Sequence, residues 1–266
     1  MAGVVVGASG SASSSAAVRW AAAEAALRSE PLTLVHAWDV PLGVSVDLAP
    51  GGHPDADLAA TSVAVHGEAA DVLLAQDASV LVLGPGPVRD RLSPLVRRML
   101  HEAAVPVVVV HGSPRRTAGR VVVGVCGTAA SRGALRWAAE EARLRAAELV
   151  VVHAWQVHPT SVAEVFQPAR AVPHQQGPAV DRLRAWVEET LGPAGTADVR
   201  LRAEHGGTLD GLLDAAIEAD LLVLGRSEHG ALHRLVLGAV GDDVSSLARC
   251  AVAVVPGVVS RDRAMA

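Results

Sequence analysis

Two glycine-containing turns carry the residues whose types could do chemistry. Gly124-Val125-Cys126-Gly127-Thr128 follows one Val-rich segment, and Gly225-Arg226-Ser227-Glu228 follows a second apolar segment. Glycines at such positions let backbone N–H groups approach an anion such as phosphate, and a following helix N-terminus adds partial positive charge. The sequence therefore predicts that these turns border a small-ligand site.

Cys126 and the histidines each have a chemical and a packing interpretation. A thiol at position 126 could be activated by the next helix N-terminus, but we favour a small buried residue that closes a strand. His229 and His233 lie four residues apart and lack a third metal ligand nearby, so we interpret them as surface histidines and predict no metal site. Either the ligand crevice or shared packing would explain the remaining repeated histidines, which are His36, His153, His66 and His205.

No residue pattern indicates catalysis. The chain contains no lysine, which excludes a Walker A lysine and a Schiff-base lysine. Nor does the sequence pair a nucleophile with a base, or an acid with a base. We therefore predict no catalytic residues.

The elements that must position these residues occur twice. Residues 4–38 return without a gap and at constant spacing as residues 121–155. The recurring residues include Gly10, Arg19, Trp20, Glu24, Leu27 and Arg28, which return as Gly127, Arg136, Trp137, Glu141, Leu144 and Arg145. Such self-similarity predicts two fused copies of one domain, over residues 1–112 and 119–258. We expect Glu24 and Glu141 to lie on solvated helix faces.

Strands and helices alternate in both halves. Continuous Val/Leu strands between amphipathic helices are typical of an α/β fold with a parallel sheet covered on both faces. The second half gains a predicted helix, Ala179 to Leu191, where the first half has a Pro- and Gly-rich stretch, Asp39 to Leu58, which we interpret as a loop or a broken helix. We therefore predict that the first half lacks one helix.

Composition excludes several classes of protein. A net charge of −5 argues against nucleic-acid binding, which needs a clustered basic face. Two cysteines imply no disulfide framework. The N-terminus has no signal-peptide pattern, and no apolar run approaches the roughly 18 residues of a membrane span. We expect a cytoplasmic protein that binds neither membranes nor nucleic acid.

Five segments together resemble the universal stress protein family in its tandem two-domain form. The resemblance covers nearly the whole of both halves, and the combination of segments is specific although each one alone is weak. The segments are Val121-Val122-Val123-Gly124 with Gly127, the helix from Ala134 to Ala142, Val152-His153-Ala154-Trp155, Ala219 to Gly225, and Leu235-Val236-Leu237-Gly238. The resemblance implies two copies of a flavodoxin-like (Rossmann-like), five-stranded parallel sheet.

The resemblance also implies an adenine-nucleotide site, because nucleotide-binding members hold ATP through an acidic residue ending the first strand and a loop of pattern G-x2-G-x9-G-[S/T]. Gly225 and Gly238 match that loop, whereas Glu228 and Ala239 depart from it, and Cys126 replaces the acid. These losses should weaken ATP binding roughly 70- to 900-fold. The predicted ligand-binding residues are Gly124, Cys126, Val152, Gly225, Gly230, Gly238 and Ala239.

The first half departs further from the family pattern. Ser9 occupies the acid position, the loop after Gly84 is shorter, and Pro94 stands where the pattern has a hydroxyl residue. We therefore expect the first half not to bind ATP.

The sequence thus predicts a non-enzymatic stress-response protein that acts as a regulatory or interaction module on a degenerate nucleotide-binding scaffold. ATP, AMP or another adenine nucleotide would bind weakly or not at all, and the protein partner is unknown. The alternative is a nucleotide-binding protein with weak hydrolase activity in its second half. The Val-rich segments 105–110 and 252–255 are predicted to pair as an intrachain pseudo-dimer, which covers two sheet edges; a homodimer stays open.

Overall fold

The computed structural model describes residues 2–38, 60–88, 90–112, 118–155, 172–196, 198–226 and 239–257. The chain forms two compact units: Met1–Arg116 with Ser245–Val254, and Thr117–Val244 with Val255–Ala266. The predicted loop from Asp39 to Leu58 lies outside the described residues. Within the described part of the chain, no helix is long and apolar enough to cross a membrane.

The first half alternates strands and helices as predicted. Its elements are β1 (Gly3–Gly7), α1 (Ala12–Arg28), β2 (Leu32–Trp38), β3 (Ala60–His66), α2 (Ala69–Leu74), β4 (Ala78–Leu83), α3 (Pro94–Glu102) and β5 (Val107–Val109).

The second half follows the same order. Its elements are β6 (Arg120–Gly124), α4 (Ala129–Arg145), β7 (Glu148–Trp155), α5 (Val172–Leu191), a 3-10 turn (Pro193–Gly195), β8 (Val199–His205), α6 (Thr208–Ala216), β9 (Leu221–Gly225), α7 (Ala239–Leu247) and β10 (Ala251–Val255).

The sheet of the first unit runs in the order β3-β2-β1-β4-β5-β10. The five strands from the first half are parallel, with Val4 opposite Leu32 in β2 and opposite Val80 in β4. β10 is antiparallel to β5, with Val252 opposite Val109 and Val254 opposite Val107. The predicted pairing of these two Val-rich segments is therefore present.

In the second unit the strand order is β9-β6-β7-β8, and all the pairings are parallel. β6 lies between β7 and β9 in the sheet. The chain passes from β6 outward to β7 and β8 and then returns across the sheet to β9 on the other side of β6. A crevice is expected at such a switch point, beyond the carboxyl ends of the strands. The fold thus places the turn after β6 at the centre of this edge.

α5 begins at Val172, earlier than the predicted Ala179. Pro178, which precedes the predicted start, lacks the N–H that a helix interior uses. The structure includes Pro178 in the helix, and Ala179 packs with Trp155 and Ala203 in a buried cluster. The helix therefore continues through Pro178 into a segment whose first residue, Ala179, is buried.

The prediction that Glu24 and Glu141 lie on solvated helix faces is wrong. Glu24 is 1% exposed and Glu141 is fully buried. Each carboxylate accepts a hydrogen bond from an arginine one helical turn later, Arg28 for Glu24 and Arg145 for Glu141. A buried charge needs a partner of opposite sign, and the spacing of four residues supplies one.

Candidate functional site

The turn between β6 and α4 is held by backbone and side-chain hydrogen bonds. The Val125 N–H donates to the Val152 carbonyl over 2.9 Å, which ties the turn to β7. Gly127 has a φ of +80°, a left-handed conformation that favours glycine. Thr128 then caps α4, because its hydroxyl accepts from the Ser131 N–H. The turn is therefore a rigid edge to whatever binds beyond it.

Cys126 is exposed, so the prediction of a buried residue closing a strand is wrong. The chain leaves the sheet after Val125, and Cys126 is already part of the turn into α4. Its N–H donates to the Ser131 hydroxyl over 3.1 Å, and its sulfur lies 3.4 Å from the same oxygen. The Thr128 hydroxyl lies 3.6 Å from that sulfur. One thiol and two hydroxyls thus form a small polar cluster.

The first unit repeats this cluster with a hydroxyl in place of the thiol. The Ser9 N–H donates to the Ser14 hydroxyl over 2.9 Å, and the Ser9 and Ser11 hydroxyls are 3.0 Å apart. Ser14 and Ser131 are both 3% exposed. Their recurrence in the sequence was the signal that could have identified this buried bond, which the sequence analysis missed.

Gly225 and Gly124 have packing reasons for being glycine. A Cβ atom at Gly225 would lie 2.6 Å from the Ala130 carbonyl oxygen, because β9 ends against the start of α4. At Gly124 a Cβ atom would lie 2.7 Å from Leu212 Cδ2. Close backbone packing therefore accounts for the glycine at position 225, whereas a side chain at position 124 would meet the movable ends of leucine side chains.

A cleft opens at the carboxyl ends of β6, β7 and β9. Its empty volume, open to solvent at the mouth, is about 480 Å³. The lining residues are Gly124, Val125, Cys126, Ser131, Val152, Ala154, Thr208, Leu212, Leu224, Gly225 and Gly241.

The structure brings four of the predicted site residues together around the cleft: Gly124, Cys126, Val152 and Gly225. Gly230 and Gly238 lie outside the described residues. Ala239 begins α7. Sequence analysis missed the contribution of α6, which begins after the two glycines that follow His205. Two of its residues, Thr208 and Leu212, line the cleft.

The repeated histidines contact the protein itself. His36 Nδ1 lies 2.7 Å from the Ala8 carbonyl oxygen, and His153 Nδ1 lies 3.0 Å from the Val125 carbonyl oxygen. An Nδ1–H that donates to these carbonyls would hold the turn after the first strand of each half. His66 and His205 pack edge-on against the tryptophans that end the adjoining strands, Trp38 and Trp155. Shared packing therefore accounts for both histidine pairs.

The cleft is electrically neutral in its described part, since its lining includes no charged side chain. The apolar wall is made by Val125, Val152, Leu212 and Leu224, each no more than 8% exposed. Over the residues that the structure describes, no group of three His, Cys, Asp or Glu side chains could hold a metal ion. The arrangement therefore suits a small ligand with an apolar face and a few hydrogen-bonding groups.

Comparisons with known proteins identify the family of the chain. The model of the universal stress protein family matches residues 117–256. A universal stress protein of Mycobacterium tuberculosis is 33% identical, with 95% of each chain covered. A universal stress protein of Mycolicibacterium smegmatis is 29% identical, over 95% of this chain and 96% of that protein.

The fold agrees as well. The crystal structure of a universal stress protein from Archaeoglobus fulgidus matches with a TM-score of 0.67, at 15% identity and 96% coverage of each chain. On the family match and the relative at 33% identity, this two-unit chain belongs to the universal stress protein family.

Proposed function

We propose that the second unit binds an adenine nucleotide weakly in its cleft, and that the chain acts in the cytoplasm as a non-enzymatic regulatory or interaction module of the stress response. The observation that carries this proposal is the position of the cleft. It lies beyond the carboxyl ends of β6, β7 and β9, where sheets of this winding bind ligands.

Weak binding follows from the groups at the cleft edge. Cys126 stands where nucleotide-binding members of the family have a carboxylate, and a thiol is a poor acceptor for ribose hydroxyls. Its sulfur already lies within 3.4 to 3.6 Å of two hydroxyls of the protein. A charge-assisted hydrogen bond contributes about 1.5–3 kcal/mol, so its loss alone lowers affinity by at least roughly tenfold.

The polar cluster supports a non-enzymatic role. Ser131 and Thr128, the hydrogen-bond neighbours of the Cys126 sulfur, are hydroxyls and cannot act as a general base. A weak nucleotide hydrolase is the alternative, favoured only by the shared winding of the sheet. Release of phosphate from ATP above the rate in buffer would support that alternative.

The thiol in the cleft provides a direct test of where the nucleotide binds. Cys126 is exposed and lines the cleft, whereas Cys250 is buried. We expect ATP, ADP, AMP and cyclic AMP to slow alkylation of Cys126 by iodoacetamide, with half-protection at the Kd that calorimetry gives.

The repeat offers a matched control. The double variant Cys126→Ser with Ser9→Cys moves the thiol to the equivalent turn of the first unit. Its alkylation should be insensitive to nucleotide. Binding without protection of Cys126, or equal protection of both thiols, would contradict the proposed site.

A further inference from the structure

We infer that His153 is a positioning residue of the cleft, because it locks the peptide that joins Val125 to Cys126 in one orientation. This inference rests on the proposed function and adds a residue that controls ligand affinity through the turn after β6. Val125 and Cys126 both line the cleft, whereas His153 is not one of the described lining residues. A lock on the peptide between them therefore sets the shape of the cleft edge.

The peptide between Val125 and Cys126 is held at both ends. Its carbonyl oxygen, which belongs to Val125, lies 3.0 Å from His153 Nδ1. A carbonyl oxygen only accepts hydrogen bonds, so His153 Nδ1 carries the proton. The N–H of the same peptide, which belongs to Cys126, donates to the Ser131 hydroxyl over 3.1 Å. Because a peptide is planar, bonds to its carbonyl and to its N–H together fix its rotation between the two Cα atoms.

Two consecutive residues of β7 hold both polar backbone groups of Val125. The Val125 N–H donates to the Val152 carbonyl over 2.9 Å, and the Val125 carbonyl accepts from His153. The first of these bonds joins backbone to backbone and survives any side-chain substitution. The second depends on the imidazole, so the orientation of this peptide can be tested through His153 without detaching the turn from β7.

Loss of the imidazole donor would favour rotation of the peptide. The bond between His153 and the Val125 carbonyl is partly buried, and a carbonyl left unpaired there is better satisfied when it turns toward water. Rotation would turn a carbonyl and an N–H at the cleft edge and shift the two attached side chains. A ligand that fits the locked turn would then bind less tightly, in proportion to the fraction of molecules that keep it.

The first unit repeats the lock at equivalent positions and provides a matched control. His36 Nδ1 lies 2.7 Å from the Ala8 carbonyl oxygen. The next N–H along the chain, that of Ser9, donates to the Ser14 hydroxyl over 2.9 Å. Because the proposed nucleotide site belongs to the second unit, release of this first lock should leave nucleotide binding unchanged.

The experiment combines amide hydrogen exchange at Cys126 and Ser9, measured by NMR, with calorimetric Kd values for ATP, ADP, AMP and cyclic AMP. His153→Leu keeps the branching at Cγ and removes the donor. We expect it to accelerate exchange at Cys126 by about fivefold or more, to leave Ser9 unchanged, and to raise the Kd of each bound nucleotide by at least about threefold. His36→Leu should accelerate exchange at Ser9 and change neither Cys126 nor the Kd.

A conservative variant separates the hydrogen bond from packing. His153→Asn places an amide N–H where the imidazole has Nδ1, so it should restore both the wild-type exchange at Cys126 and the wild-type Kd. His153→Phe keeps an aromatic ring without a donor, and it repeats the test if His153→Leu does not fold.

The possible failures of the inference and of the proposed function are distinct. Unchanged exchange at Cys126 in His153→Leu and His153→Phe would overturn the lock. Faster exchange with an unchanged Kd would show that the lock does not position the ligand site, while the proposed function stands. If wild type binds none of the four nucleotides, the proposed function fails, and the exchange rates alone decide whether His153 holds the peptide.

Discussion

Glu24 and Arg28 form an ion pair inside the first unit, with Arg28 Nε 2.5 Å from Glu24 Oε1. Glu141 and Arg145 repeat the pair in the second unit. The carboxylates are buried, while the arginine side chains stay 10% and 15% exposed. Each arginine thus pairs with a carboxylate that lies buried on the same helix.

Removal of one buried carboxylate should destabilise the fold. Glu141→Gln removes the buried carboxylate that pairs with Arg145, and breaking a buried pair costs about 3–5 kcal/mol. Glu140→Gln changes the neighbouring, exposed residue and should cost less than about 0.5 kcal/mol. Urea unfolding followed by circular dichroism measures both. Equal stability of the two variants would mean that the pair contributes nothing.

The glycine at the end of β9 should not tolerate a side chain. Gly225→Ala places a Cβ atom 2.6 Å from the Ala130 carbonyl oxygen, so backbone must move, at about 1–3 kcal/mol. Gly133→Ala lies within α4 with no atom closer than 3.8 Å, and better helix propensity should stabilise it by about 0.5–1 kcal/mol. The unfolding temperature should therefore fall for Gly225→Ala and rise for Gly133→Ala. Shifts of the same sign in the two variants would contradict this packing.

The two cysteines should differ in reactivity. Cys126 is exposed and Cys250 is buried. In the native chain, a chromogenic disulfide reagent should modify one thiol rapidly, and both thiols should react in denaturant. Cys126→Ala should remove the rapid phase. A rapid reaction of two thiols in the native chain would contradict the burial of Cys250.

Acid should destabilise the first unit through His111. Burial lowers the pKa of His111 from 6.5, against the opposing effects of its hydrogen bond to Ser245 and of the Asp90 charge. Because the folded-state pKa is depressed, this contribution to stability is present above pH 6.5 and is lost as the pH falls through the folded-state value.

His111→Gln should flatten that dependence, since an amide can still donate to the Ser245 carbonyl but does not titrate. Unfolding free energies at about pH 8 and about pH 5.5 give the comparison. The same slope for His111→Gln and wild type would exclude His111 as the cause.

Restoring the family's nucleotide motif should strengthen ATP binding. Cys126→Asp supplies a ribose acceptor, Ala239→Ser supplies a hydroxyl, and Glu228→Gly removes a negative charge. The triple variant should bind ATP more tightly by on the order of 2–4 kcal/mol. Calorimetry at equal magnesium and salt measures the gain. A triple variant that ignores ATP would mean that the motif losses do not explain weak binding, and wild type that saturates at low micromolar ATP would mean that they were overvalued.

The repeat made the fold predictable. Because the same order of hydrophobic strands and helices occurs twice at one spacing, the assignment of each element in one half supports the assignment of its equivalent in the other. Gly124, Cys126, Val152 and Gly225 were also predictable as neighbours, since they follow or end adjacent parallel strands. The burial of Glu141 was not, because a charged residue among helical polar positions normally faces water. Glu24 and Arg28 recur together as Glu141 and Arg145, and this recurrence was the sign in the sequence of an internal ion pair. Thr208 and Leu212 were missed because the contribution of a helix on the sheet face depends on packing rather than on local pattern.

The position of β10 governs when the first unit can finish folding. Residues 251–255 lie far along the chain from β5, whose last residue is Val109, yet they pair with it. During synthesis, β1 to β5 are complete long before their antiparallel edge strand emerges. The growing chain must therefore carry an open sheet edge from the synthesis of β5 until residues 251–255 have been translated.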